Sequence, residues 1–442
     1  MRFDERLWAT AAGPTRQWNQ MLERRSRRAL GELKDLTAAA EAGVADGARL
    51  LEAVLAAPRP VRDALARFPA FDYWLYRSRG FLRENDRGGQ WSAHVESFAS
   101  FSAAAAVLGR LARAEFPAKL SAEARFHITG TREFFEFPAE CASQPALVTV
   151  ENGRASVRLP SGREGERREL PEAAASLWVE SRDPLVMGPV RVHPPAKQSP
   201  EEERRYAHVL AASLRRLRCL DPEFCGEMES FLRLLIPLEN TLGRASVSSS
   251  YDVLRGALAL SHSEDCLLQE ETLIHEFSHQ KLNLLADEEP LIAPGQAGQV
   301  FYSPLREDPR RLRGLLLGAH AFINVNRYLI RVLREEPLEK AARDSVTRNI
   351  CRRLFHVEDM LRSVSGYASL TRFGKSFTLR LWREQMGHHH EALRFPEEIV
   401  AFARAAYREH RDRHAWGDTG FVKPALRVVD ASPAAEEAGS SR

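Results

Sequence analysis

Apolar positions along this chain change period twice. From about residue 15 to 120, leucine and alanine recur every three or four positions among arginine and glutamate, which predicts amphipathic helices. The prolines at 58 and 60 and the RGGQ stretch at 87–90 interrupt them. After Pro117 the period shortens to two. Short alternating runs at 125–130, 146–151 and 155–159 predict strands, and Asn152-Gly153 between the last two is a hairpin signal. This small β region occupies about 121–195 and ends in the loop His193-Pro194-Pro195. Helical spacing then returns, with one helix from 200 to 220 and a second from 222 toward 242. A serine-rich stretch (245–251) precedes GALALS (256–261), which reads as a strand. Ser263 is placed to cap the next helix, which runs to about 286 and contains HEFSH. A loop with Pro290, Pro294, Gly295 and Gly298 leads through FYSPLREDP (301–309) to an apolar helix from about 309 to 333.

The fold class expected is α+β, mostly helical: a zincin-like core of strand, HExxH helix and third-ligand helix, with flanking helical regions and a small antiparallel β region. The divisions are 1–120 (N-terminal helices), 121–195 (β region), 200–335 (metal-binding core), 336–425 (C-terminal helices) and 426–442 (a disordered tail).

Composition adds mostly exclusions. The 442 residues include 44% hydrophobic and 28% charged positions and carry a net charge of +3, so bulk electrostatics give no reason to expect nucleic acid. Local arginine runs (Arg24, Arg25, Arg27, Arg28; Arg215, Arg216, Arg218) read as solvated helix faces. Five scattered cysteines without a CxxC pair suit a reducing compartment. The charged N-terminus lacks a signal-peptide core, and no apolar run is long enough to span a membrane; a cytoplasmic protein is expected. Oligomeric state is not legible.

The chemistry centres on His275-Glu276-Phe277-Ser278-His279. Histidines four apart on a helix sit one turn above each other and can place two imidazoles on one metal ion. Leu268, Glu271, Thr272, His275, His279 and Leu282 share one face, opposite Leu267, Leu273, Ile274, Phe277, Leu284 and Leu285. A strand before this helix and a long apolar helix after it give the order found in zincin-type metal sites. A third ligand is needed; His320, on that next helix between small residues, is the first candidate and Glu271 the second. His388-His389-His390 reads as the end of a helix after Gly387. His410 and His414, among arginines, read as an exposed basic helix.

LIHEFSHQKLNLL followed by FYSPLREDPRRLRGLLLGAHAF resembles the HExxH-motif peptide-modification proteins of bacterial peptide-natural-product gene clusters. The similarity extends to PLENTLGRASVSSSYDVLRGALALS, LTRFGKSF and HRDRH. It covers most of 220–415, with a weaker match at APRPVRDALARFPAFDYWL. The resemblance implies a protease-like metal scaffold used for oxidation. Iron(II), with 2-oxoglutarate and oxygen, would hydroxylate the β-carbon of a residue in a ribosomally made precursor peptide. Three protein ligands would leave three iron positions, two for 2-oxoglutarate and one for oxygen. The far carboxylate of 2-oxoglutarate calls for an arginine. Arg306 and Arg310 are the candidates, Arg327 the alternative, and Tyr302 lies in the same segment as the first two. An ion pair with Glu307 or Asp308 is the other reading of those arginines. The strand at 256–261 would offer its edge to the peptide, and Glu276 would orient ligands or a water. The spacing alone equally suits a zinc metallopeptidase with Glu276 as general base. A precursor-binding scaffold with a structural metal is a third reading.

Overall fold

In a computed structural model of the chain, residues 16–43, 46–84, 89–191, 193–196, 198–241, 243, 245–294, 300–414 and 421–422 are described. The tail expected at 426–442, the first two residues of the RGGQ turn and the glycines at 295 and 298 lie outside these residues. The fold is α+β and mostly helical, with small sheets.

A five-stranded mixed sheet divides the molecule. Its order is Ser248–Ser250, Ala257–Ser261, Leu234–Leu238, Leu177–Val179, Glu172–Ala174; the first and last pairings are antiparallel and the two central ones parallel. Both faces are covered. Leu234, Ile236, Ala257 and Ala259 point into a core shared with the N-terminal helices, whereas Leu235, Leu258 and Leu260 point into the core around the HEFSH helix. Burial on both faces explains why LLIPL and ALALS are continuous apolar runs rather than alternating ones. It also explains why the helix expected to run toward 242 stops at Phe231. A short apolar run has no period that separates strand from buried helix, and Pro237 cannot sit inside a helix.

The strand at 256–261, expected to present an edge, is internal. The edge belongs to Ser248–Ser250, in the serine-rich stretch that precedes it. Gly256 adopts φ +91° to turn the chain into the strand, where a Cβ would stand 3.1 Å from the Phe231 carbonyl oxygen.

On the N-terminal side, six helices from Arg16 to Leu108 precede the β region, which begins earlier than expected, at Arg113. Two three-stranded antiparallel sheets form there. One orders Arg113–Lys119, Pro145–Glu151 and Arg154–Arg158; the other orders Arg125–His127, Glu133–Glu136 and Glu166–Glu169. The hairpin falls at Asn152 and Gly153, both with positive φ (50° and 78°), as a two-residue turn between twisted strands requires. Residues 172–179 leave this region and complete the central sheet.

On the other side, helix Pro200–Leu220 opens with a capping box formed by Ser199 and Glu202. The HEFSH helix spans Cys266–Glu288; Asp265 caps it in place of Ser263, accepting bonds from the Leu267 and Leu268 amides. Helix Leu312–Glu335 packs on it, and Lys340–Tyr367, Arg372–Ala392 and Glu397–His414 complete the layer. All five cysteines are free. Among the described residues, no helix is long and apolar enough to cross a membrane.

Candidate metal centre

Three buried charge contacts set the rotation of the HEFSH helix. Lys281 Nζ pairs with Glu227 Oε2 at 2.6 Å, Arg216 Nη1 and the Tyr328 hydroxyl both reach Glu270 Oε2 at 2.6 Å, and Arg353 pairs with Glu271. Gln280 donates to the carbonyls of Tyr251 and Ala257 at 3.3 Å, tying the helix to the sheet. With Leu273, Ile274, Phe277, Leu284 and Leu285 in the core, one face remains for the histidines.

His275 Nε2 and His279 Nε2 lie 3.0 Å apart, with ring centroids separated by 4.5 Å. Two nitrogens each about 2.1 Å from one ion and at right angles to each other are about 3.0 Å apart, so the pair fits adjacent positions of a six-coordinate metal. Both rings are held neutral, as ligation requires. Burial, then His279 and Arg353, hold His275 well below the usual imidazole range, and burial lowers His279 to about 4 against the pull of Asp252. The Phe322 ring packs on His275 at 4.8 Å between centroids, and the Arg353 guanidinium covers the Phe322 ring.

Both histidines line a cavity of about 290 Å³, together with Ser246, Ser248, Arg306 and Arg310. The two arginines thus meet the histidines across a distance in sequence of about thirty residues. Asp308 stands between them: it accepts from Arg306 Nε at 2.8 Å and lies 3.5 Å from Arg310 Nε. Against partial burial, the Arg306 hydrogen bond and the charges of both arginines hold its carboxyl below the usual range. Gly318 lies on the cavity wall opposite Met360, whose sulfur would be 3.1 Å from an added Cβ. The small residue therefore lets the helix approach Lys340–Tyr367 rather than the HEFSH helix.

Other candidates lie elsewhere. His320 is fully buried with both ring nitrogens engaged: Nδ1 donates to the Ser278 carbonyl at 3.1 Å, and Nε2 accepts from Asn324 Nδ2 at 3.2 Å. Burial lowers it to about 3, so it is a neutral core imidazole that joins the two helices. Glu271 is held by Arg353. Among the described residues, no His, Cys, Asp or Glu joins His275 and His279 in a set of three ligand atoms within 4.8 Å of one another. Arg327 pairs with Asp221 at 2.9 Å and covers Phe224, behind the HEFSH helix. The Tyr302 hydroxyl bonds His410 Nδ1 at 2.7 Å. His410 is therefore packed rather than freely exposed, while His388 is buried just before the last turn of its helix, which His389 and His390 occupy.

Glu276 is completely buried and does not reach the cavity wall. Its Oε1 accepts from the Ser248 hydroxyl at 2.7 Å. Burial lifts its carboxyl to about 7, although the Ser248 and Ser250 hydroxyls pull it down.

A second group of ligating side chains was not legible in the sequence. His127, Glu180 and Asp183 are buried with their ligand atoms within 4.8 Å of one another, and the group could bind a metal ion. More than fifty residues separate the histidine from the carboxylates, so no spacing motif announces them. No family model matches the sequence, and no curated protein matches it.

Proposed function

We propose that the chain is an iron(II)- and 2-oxoglutarate-dependent oxygenase that hydroxylates the β-carbon of a residue in a ribosomally made peptide. His275 and His279 would hold the metal in a zincin-like setting, and Glu271, exchanging its Arg353 contact for the ion, is the candidate third ligand. The observation that carries this reading is the shared cavity: two neutral imidazoles 3.0 Å apart face Arg306 and Arg310 across it. A small dicarboxylate needs that combination, a metal at one end and a guanidinium at the other. Bound iron supplies the redox chemistry by which oxygen and 2-oxoglutarate are consumed. The protein's own residues orient and enclose. Phe322 and Arg353 fix the His275 ring, and Asp308 aligns both arginines. The edge strand Ser248–Ser250 runs beside the histidines, where an extended peptide could add as a further strand. Glu276, bonded to Ser248 on that strand, would link the HEFSH helix to the substrate's docking edge.

The zinc metallopeptidase remains the second reading, favoured by the Glu276 carboxyl at about 7, a value suited to a general base. Its enclosure behind Ser248 speaks against that role. The readings separate by titrating 2-oxoglutarate into anaerobic protein loaded with iron(II). Binding is expected only with metal present, lost in the H275A/H279A double variant and weakened at least about tenfold by Arg306→Met or Arg310→Met. Metal-loaded protein that ignores 2-oxoglutarate but cleaves peptides with zinc, and stops doing so as E276Q, would establish the peptidase instead.

A further inference from the structure

The geometry points to a second divalent-cation site, of the zinc class, made by His127, Glu180 and Asp183 on the opposite side of the central sheet from the HEFSH helix. The three come from separate elements. His127 ends strand Arg125–His127, Glu180 directly follows strand Leu177–Val179 of the central sheet, and Asp183 caps the short helix Pro184–Met187.

Glu180 is held by one oxygen, with the other turned toward His127, whereas both Asp183 oxygens are engaged. Glu180 Oε1 accepts from the amides of Arg182 (2.6 Å) and Asp183 (3.0 Å), leaving Oε2 3.2 Å from His127 Nδ1. Asp183 Oδ1 accepts from the Leu185 amide at 2.9 Å, and Oδ2 accepts from the Thr129 hydroxyl at 2.7 Å. The imidazole is fixed by stacking on Phe134, with planes 15° apart. Such anchoring of ligand carboxylates and rings is what organises a metal site before the ion arrives. The 3.2 Å between His127 Nδ1 and Glu180 Oε2 fits as well, since ligands about 2.05 Å from a tetrahedral ion are about 3.3 Å apart, and an Asp183 oxygen lies within 4.8 Å of a ligand atom on each of the other two.

Charge and burial argue in the same direction. His127, Glu180 and Asp183 are only 7%, 2% and 4% exposed, and His127 Nε2 is buried without a hydrogen-bond partner. Two carboxylates enclosed beside one imidazole make a setting that calls for positive charge, a proton or a metal ion. A dication with a neutral imidazole and two carboxylates sums to zero. His127, Thr129 and Asp183 also line a cavity of about 210 Å³, which gives an ion a route in and room for a water as fourth ligand. Bound there, the cation would clamp the 180–183 segment, which follows strand Leu177–Val179 of the central sheet, onto the antiparallel β region.

Zinc titration of chelator-stripped full-length protein tests this independently of the HEFSH site. Wild type should bind two equivalents and H275A/H279A one, and that remaining equivalent should disappear when His127→Gln is added. Zinc should raise the melting temperature of H275A/H279A and leave that of the triple variant unchanged. If H275A/H279A binds no zinc, or if its single equivalent survives His127→Gln, the trio is a proton-bridged network and the proposal fails. Neither result bears on 2-oxoglutarate binding at the other site. Should the triple variant misfold, Glu180→Gln in the same background, which keeps the bonds to the Arg182 and Asp183 amides, gives the same comparison.

Discussion

His320 shows how the same residue type takes up two different settings in one core. It has the composition of a ligand site around it, small residues on an apolar helix, yet Ser278 and Asn324 occupy both its nitrogens. Its replacement by alanine should therefore cost stability, about 2–4 kcal/mol from two lost hydrogen bonds and a cavity. Metal content should not change. Denaturant unfolding and metal analysis of the same His320→Ala preparation would check both halves, and a loss of metal in folded protein would restore His320 as a ligand. His275 and His279 differ from it in having each other as the nearest ring partner and a cavity in front of them. That contrast was half legible. The four-residue spacing within one helix brings its own geometry, whereas the partners of His320 depend on how two helices meet.

At the scale of elements, the HEFSH helix is held by charges more than a soluble helix usually is. Lys281 and Glu227 are each 1% exposed at their side chains, and burial lifts Glu227 to about 7 even beside its lysine. Lys281→Met alone strands a buried carboxylate and should destabilise the protein by about 3–5 kcal/mol, less whatever protonation of Glu227 recovers. Adding Glu227→Leu should restore most of that loss, because two apolar side chains of similar size need no desolvation. Equal destabilisation by the single and double variants, measured by urea unfolding, would show that the pair is not the anchor described. The elements themselves were read well where periodicity was strong: Pro200–Leu220, the HEFSH helix and the helix after it appear within a few residues of expectation. The strands Leu234–Leu238 and Ser248–Ser250 were missed. One is a uniform apolar run and the other three serines, and neither carries a period.

For the whole molecule, buried histidines govern the response to acid. Burial lowers His94 and His279 to about 4 and His320, His356 and His388 to about 3. Their unfolded counterparts take up protons near 6.5, so below that pH the unfolded state binds more protons and stability falls. Glu227, Glu270 and Glu276, raised to about 7, work oppositely: from pH 7 down to 4.5 the folded state takes up protons first, which stabilises it. Metal-free protein should therefore lose stability gradually between pH 6.5 and 4.5, and more steeply below 4.5, where the glutamates no longer offset the histidines. A series of thermal melts would show this, and a profile flat to pH 4 would contradict the assigned burial. The sequence by itself determined the predominance of helix, the Asn152-Gly153 hairpin and the pairing of His275 with His279, because each follows from neighbours along the chain. Only the tertiary structure decided which strand is the edge, that Arg306 and Arg310 share the histidines' cavity, that His320 turns into the core, and that His127 meets Glu180 and Asp183. Those outcomes depend on contacts between segments far apart in the chain, and no local period or spacing encodes them.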